Sequence, residues 1–68
     1  QTLYLKLPTE GSTEDRKTRA VLNMFPGEIR AVLYYADTGV RRGTHCSLRE
    51  DMLQELGRIL GENHVVLK

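Results

Sequence analysis

The stretch Asp51–Leu60, stopped at Gly61 and followed closely by Val65–Val66–Leu67, constrains this chain more than any other. Met52, Leu53, Leu56, Ile59 and Leu60 recur at helical spacing, while Glu50, Gln54, Glu55 and Arg58 fall on the other side. That pattern is an amphipathic helix with one apolar stripe. Ser47 stands three residues before Glu50, the spacing of a capping box. Gly61 is placed for the left-handed cap that a side chain with a Cβ resists. A β-branched run follows so soon that the helix must turn back and lay its stripe on a sheet containing Val65–Leu67.

The preceding segments supply the rest of that sheet. Leu3, Leu5 and Leu7 alternate with Tyr4 and Lys6, the period of a half-buried strand that Pro8 helps to end. Ser12 and Asp15 form a second, shorter helix-start signal. The helix that follows is predicted to bury Thr18, Val21, Leu22 and Phe25 and to expose Arg16, Lys17, Arg19 and Asn23, with Pro26–Gly27 as its stop. In Ile29–Ala36, residues Ile29, Ala31, Leu33 and Tyr35 share one strand face and Arg30, Val32, Tyr34 and Ala36 the other. Asp37–Thr38–Gly39 is turn chemistry, so Val40–Cys46 returns antiparallel. Gly43 and the adjacent Arg41–Arg42 mark that return as a sheet edge.

The order β-α-β-β-α-β predicts an α+β fold of the ferredoxin-like, split-βαβ kind. Its expected form is an antiparallel four-stranded sheet with both helices on one face. The first and last strands, the most uniformly apolar, are expected at or beside the centre. The second sheet face is then bare. Tyr4, Lys6, Arg30 and Tyr34 are its candidate residues, and with Arg41 and Arg42 on the edge strand they form the candidate interaction surface.

At 68 residues the chain is one domain with a modest core and little room for a deep cleft. The formal charge of +1 gives no strong global field to draw in nucleic acid or an anionic membrane. The single cysteine, Cys46, excludes an internal disulfide and points to a reducing compartment. No apolar run reaches the length of a membrane span. A strand pattern beginning at Thr2 and another closing at Leu67 suggest a C-terminal piece of a longer protein.

Catalytic constellations do not emerge. His45 and Cys46 are neighbours and point to opposite faces of a strand, and His64 is remote, so a surface histidine and a small packed cysteine explain them better than a metal site or a nucleophile. Asp37 belongs to a turn, Asp15 and Glu50 to helix starts, and Asp51 to a first helical turn. The six glycines make no phosphate loop. Gly57, inside the second helix, suggests a close packing contact. No cofactor and no metal is expected.

Two resemblances are partial. Leu3–Tyr4–Leu5–Lys6–Leu7 is similar to the first-strand motif of RNA-recognition-motif domains, in which an aromatic stacks on a base. The matching third-strand motif has only its basic residues and glycine here, in Arg41–Arg42–Gly43–Thr44–His45–Cys46, which leaves Tyr34 as the one candidate for a second aromatic. Ligand-binding domains of the ACT type share the same element order.

A wider resemblance rests on several words in sequence. They are Leu3–Tyr4–Leu5–Lys6–Leu7–Pro8, Phe25–Pro26–Gly27, Val32–Leu33–Tyr34–Tyr35, Asp37–Thr38–Gly39, Leu53–Gln54–Glu55–Leu56 and the closing Leu60–Lys68 segment. Together they resemble the extreme C-terminal domain of the bacterial DNA polymerase III alpha subunit, a replicative DNA polymerase. The resemblance implies a noncatalytic interaction domain whose parent carries its catalytic aspartates in a distant palm domain. It implies the clamp-loader tau subunit and neighbouring polymerase domains as partners, with a weaker contact to single-stranded DNA. Thr44–Leu48 lacks the Pro and Trp common in that family. Val21–Phe25 ends like a sliding-clamp-binding peptide without its Gln, and Phe25 is read as core.

Overall fold

A computed structural model describes the whole chain, Gln1–Lys68. The elements are β1 (Thr2–Leu7), α1 (Thr13–Met24), β2 (Ile29–Tyr35), β3 (Arg41–Cys46), α2 (Glu50–Leu60) and β4 (Val65–Leu67), with one 3-10 turn over Glu62–His64 ahead of β4. The chain is a small α+β domain in the predicted βαββαβ order. In β1 the alternation is strict: Leu3, Leu5 and Leu7 are buried while Tyr4 and Lys6 are exposed.

The sheet order is β3-β2-β1-β4, and the sheet is mixed rather than antiparallel. β1 runs parallel to β2 with Tyr4 opposite Val32 and Lys6 opposite Tyr34. β2–β3 and β1–β4 are antiparallel. Because β1 and β2 are direct neighbours, the first crossover unit is not split by an inserted strand. The physical reason lies in β2, where Ala31, Val32 and Leu33 are buried in succession. A strand apolar on both sides suits a central, parallel position. β4, expected near the centre, is instead a three-residue edge strand with Val66 and Leu67 exposed. β3 is the opposite edge, as predicted.

Both helices cover one face. Leu22 of α1 and Met52, Leu56 and Leu60 of α2 meet Leu3, Leu5, Leu7, Ala31, Leu33 and Tyr35 in a single core, with Val21, Phe25, Leu53, Ile59 and Val65 packed around it. Ser12 caps α1 as expected, its hydroxyl accepting from the Asp15 N–H at 3.1 Å. The capping box at α2 does not form. Arg49 occupies the N-cap, and Ser47 is engaged elsewhere: its N–H and hydroxyl both donate to the Phe25 carbonyl, at 2.7 and 3.2 Å. That link ties the end of β3 to the end of α1.

The tight glycine is Gly27, not Gly57. A Cβ at Gly27 would fall 2.6 Å from the Ser47 backbone, whereas one at Gly57 would meet only the Glu62 Cγ, at 3.6 Å. Gly61 takes a positive φ of 95° and ends α2 by donating its N–H to the Gly57 carbonyl.

Candidate functional site

With both helices on one side, the other face of the sheet is open. Strand register arranges it in rows. The middle row runs Val66, Tyr4, Val32, Gly43 from one edge to the other. On one side lie Lys68, Thr2, Arg30 and His45; on the other, Lys6, Tyr34 and Arg41. The backbones of Thr2 and Lys68 exchange two hydrogen bonds, at 2.7 and 3.0 Å, so Lys68 continues the ladder beyond β4. Asn63 and His64 of the 3-10 turn close one side of a shallow groove floored by Tyr4, Val32, Tyr34 and Val66. The His64 Nδ1 donates to the Leu60 carbonyl at 2.8 Å, fixing the ring at that rim. Across the sheet the Arg41 guanidinium lies over the Tyr34 ring, 5.7 Å from its centroid.

Five of the six sequence-predicted residues therefore come together: Tyr4, Lys6, Arg30, Tyr34 and Arg41. Arg42 does not join them. Successive strand residues point to opposite faces, and Arg42 turns toward the helix side, where its guanidinium donates twice to Glu10, at 3.1 and 3.3 Å. Those bonds raise its pKa above the ordinary arginine value. Sequence reasoning missed Val66, Lys68, Asn63 and His64 as members of the face. Only the pairing of β4 with β1 brings them there, and no local signal announces that pairing.

Charge is segregated. Lys6, Arg30, Arg41 and Lys68 put four of the ten Lys and Arg residues on this face, and none of the nine acidic residues lies in any strand. Glu28 immediately precedes β2, and Glu62 lies on the far side of the 3-10 turn, against α2. The near-neutral total thus conceals a cationic sheet face backed by a net acidic remainder.

Asp15, Tyr35 and Cys46 are built into the fold. Asp15 is almost fully buried and accepts from the Tyr35 hydroxyl, the Gly11 N–H and Arg19 Nε at 2.6, 2.8 and 3.1 Å. Burial alone would raise its pKa; these donors and the Arg19 charge outweigh burial and hold it below the ordinary carboxylate value. Burial and the bond to Asp15 push the Tyr35 hydroxyl up. Cys46 is fully buried, its thiol pushed up by desolvation, while the adjacent His45 is exposed on the opposite face. Full burial in apolar surroundings is the environment of a packed cysteine. No group of three or more His, Cys, Asp or Glu side chains converges in the chain.

Comparison with protein-family models, curated proteins and solved structures finds no match. The open face is the feature on which a function can be argued. No helix is long and apolar enough to cross a membrane.

Proposed function

We propose that this domain is noncatalytic and acts by binding, as the C-terminal domain of a DNA polymerase III alpha subunit in the bacterial cytoplasm. In that setting it would tether the polymerase to the clamp-loader tau subunit or to a neighbouring polymerase domain. The observation that carries the binding reading is the one-sided layering: α1 and α2 cover a single face, and the opposite face, covered by no helix, carries Tyr4, Lys6, Arg30, Tyr34 and Arg41. The polymerase setting rests on the order of sequence words from Leu3–Pro8 to Leu60–Lys68.

Calorimetric titration with the C-terminal domain of tau tests the tether. Saturable heat at one-to-one stoichiometry, abolished by Arg41→Glu on the open face and retained in Arg42→Glu on the helix side, is the expected result. No heat at high concentration removes the tether from this domain.

A further inference from the structure

The open face has a chemistry that selects among partners. Its exposed cations, Lys6, Arg30, Arg41 and Lys68, share it with no strand-borne carboxylate. Protein–protein interface centres are depleted in lysine and avoid unpaired like charge. The face also carries two aromatic rings. Tyr4 and Tyr34 sit on adjacent parallel strands, offset by two residues in register. Strand spacing and rise put such diagonal neighbours roughly 8 Å apart, within reach of consecutive bases of an extended strand. Tyr4 is 43% exposed, and Tyr34 is half-buried with the Arg41 guanidinium over its ring. A guanidinium plane is itself a stacking surface for bases. Val66, exposed beside Tyr4 in the same row, offers apolar contact to sugars.

We propose that the open sheet face binds single-stranded nucleic acid. Tyr4 and the Tyr34–Arg41 pair each stack one base, and Lys6, Arg30 and Lys68 around them hold the neighbouring phosphates. Base faces are accessible only when unpaired, so duplex DNA cannot use the tyrosines. The second aromatic comes from β2, the direct neighbour of β1, and not from β3. The inference rests on the reading of the open face as the working surface and names its ligand class.

The test is fluorescence anisotropy of the 68-residue chain with labelled oligothymidylate and oligouridylate of roughly eight nucleotides, beside a duplex of equal length. Single strands are expected to bind more tightly than the duplex. Contact of Lys6, Arg30 and Lys68 with about three phosphates predicts a slope of log K against log salt near −2. Tyr4→Ser and Tyr34→Ser should each weaken binding about tenfold or more. Arg41→Glu should weaken it and flatten the salt slope, while Arg58→Glu, the same charge change on α2, should leave it unaltered. Thermal unfolding of each variant, recorded alongside, separates a lost contact from a lost fold. Preference for oligothymidylate or oligouridylate assigns the face to DNA or RNA. No binding at low salt, equal binding of the duplex, or equal loss in Arg58→Glu overturns the proposal. The tau titration separates the two readings. Heat with tau and no binding of single strands removes the nucleic-acid ligand and leaves the tether, single-strand binding without tau does the reverse, and silence in both overturns both.

Discussion

The Tyr35 hydroxyl donates to Asp15 Oδ1 at 2.6 Å across the buried seam between β2 and α1. Arg19 closes the arrangement, bonding Asp15 Oδ1 at 3.1 Å and the Tyr35 oxygen at 2.8 Å. A buried carboxylate is tolerated only when its lone pairs are occupied by donors, and here three residues supply them. Tyr35→Phe keeps the ring and removes one donor. The expected loss is about 1.5–3 kcal/mol, as for a hydrogen bond to a charged group. Asp15→Asn should cost a similar amount, since the amide keeps the shape and surrenders the charge on Arg19. Urea denaturation of both variants checks this. Two midpoints within error of the parent would mean that the seam contributes nothing.

The same carboxylate makes stability depend on acid. Asp15 has a lowered pKa in the folded protein, so the unfolded chain takes up its proton first as pH falls. Its contribution is fully present above the ordinary aspartate value, about pH 4, and is lost as the pH drops through the folded value. Stability should therefore decline below about pH 4, and the decline should be shallower in Asp15→Asn. Parallel declines in the two proteins would assign the acid sensitivity to other carboxylates.

The two informative glycines should respond in opposite directions. Gly57 lies within α2 at an ordinary distance from its neighbour. Gly57→Ala removes the helix penalty of glycine and should stabilise the domain by up to about 1 kcal/mol. At Gly27 the nearest atoms are Ser47 backbone, which cannot swing aside. Gly27→Ala must push the α1–β2 connection off the end of β3, and a loss of about 1–3 kcal/mol is expected. Matched thermal melts of the pair distinguish helix propensity from backbone clearance.

Thr18 is fully buried, and its hydroxyl has no hydrogen-bond partner. Valine has nearly the same shape without the unsatisfied oxygen. Thr18→Val should raise stability by about 1 kcal/mol, measured as a higher denaturation midpoint at unchanged slope. A lower midpoint would show that the hydroxyl is bonded in solution.

Strand and helix periods encode which residues share a face, and not which elements become neighbours. Period two sorts β1 and β2 into faces, so Tyr4, Lys6, Arg30 and Tyr34 fall together without knowledge of the strand pairing. Helical spacing located the core side of α2. Pairing order is not a local property: the successive burial of Ala31, Val32 and Leu33 reveals β2 as a central strand only once neighbours exist on both sides. Asp15 read as a helix-start residue, which it is; its burial depends on Tyr35, twenty residues away. Ser47 had the spacing of a cap and was claimed instead by Phe25.

Arg41 and Arg42 are adjacent in sequence, and β-strand alternation separates their roles. Arg41 stands on the open face over Tyr34; Arg42 faces the helix side and is committed to Glu10. An exposed ion pair contributes little to stability because solvent screens it, so Arg42→Ala should leave both the unfolding midpoint and ligand binding close to the parent's. Arg41→Ala removes a cation and a stacking plane from the open face while leaving the core untouched, so its midpoint should also hold. Its affinity for the ligand of that face should fall. Measuring unfolding and binding on both variants gives four numbers, of which only one is expected to move. Equal losses of affinity would mean that the ligand follows the β3 edge, where both arginines can reach it, and that the working surface is the rim of the sheet and not its face.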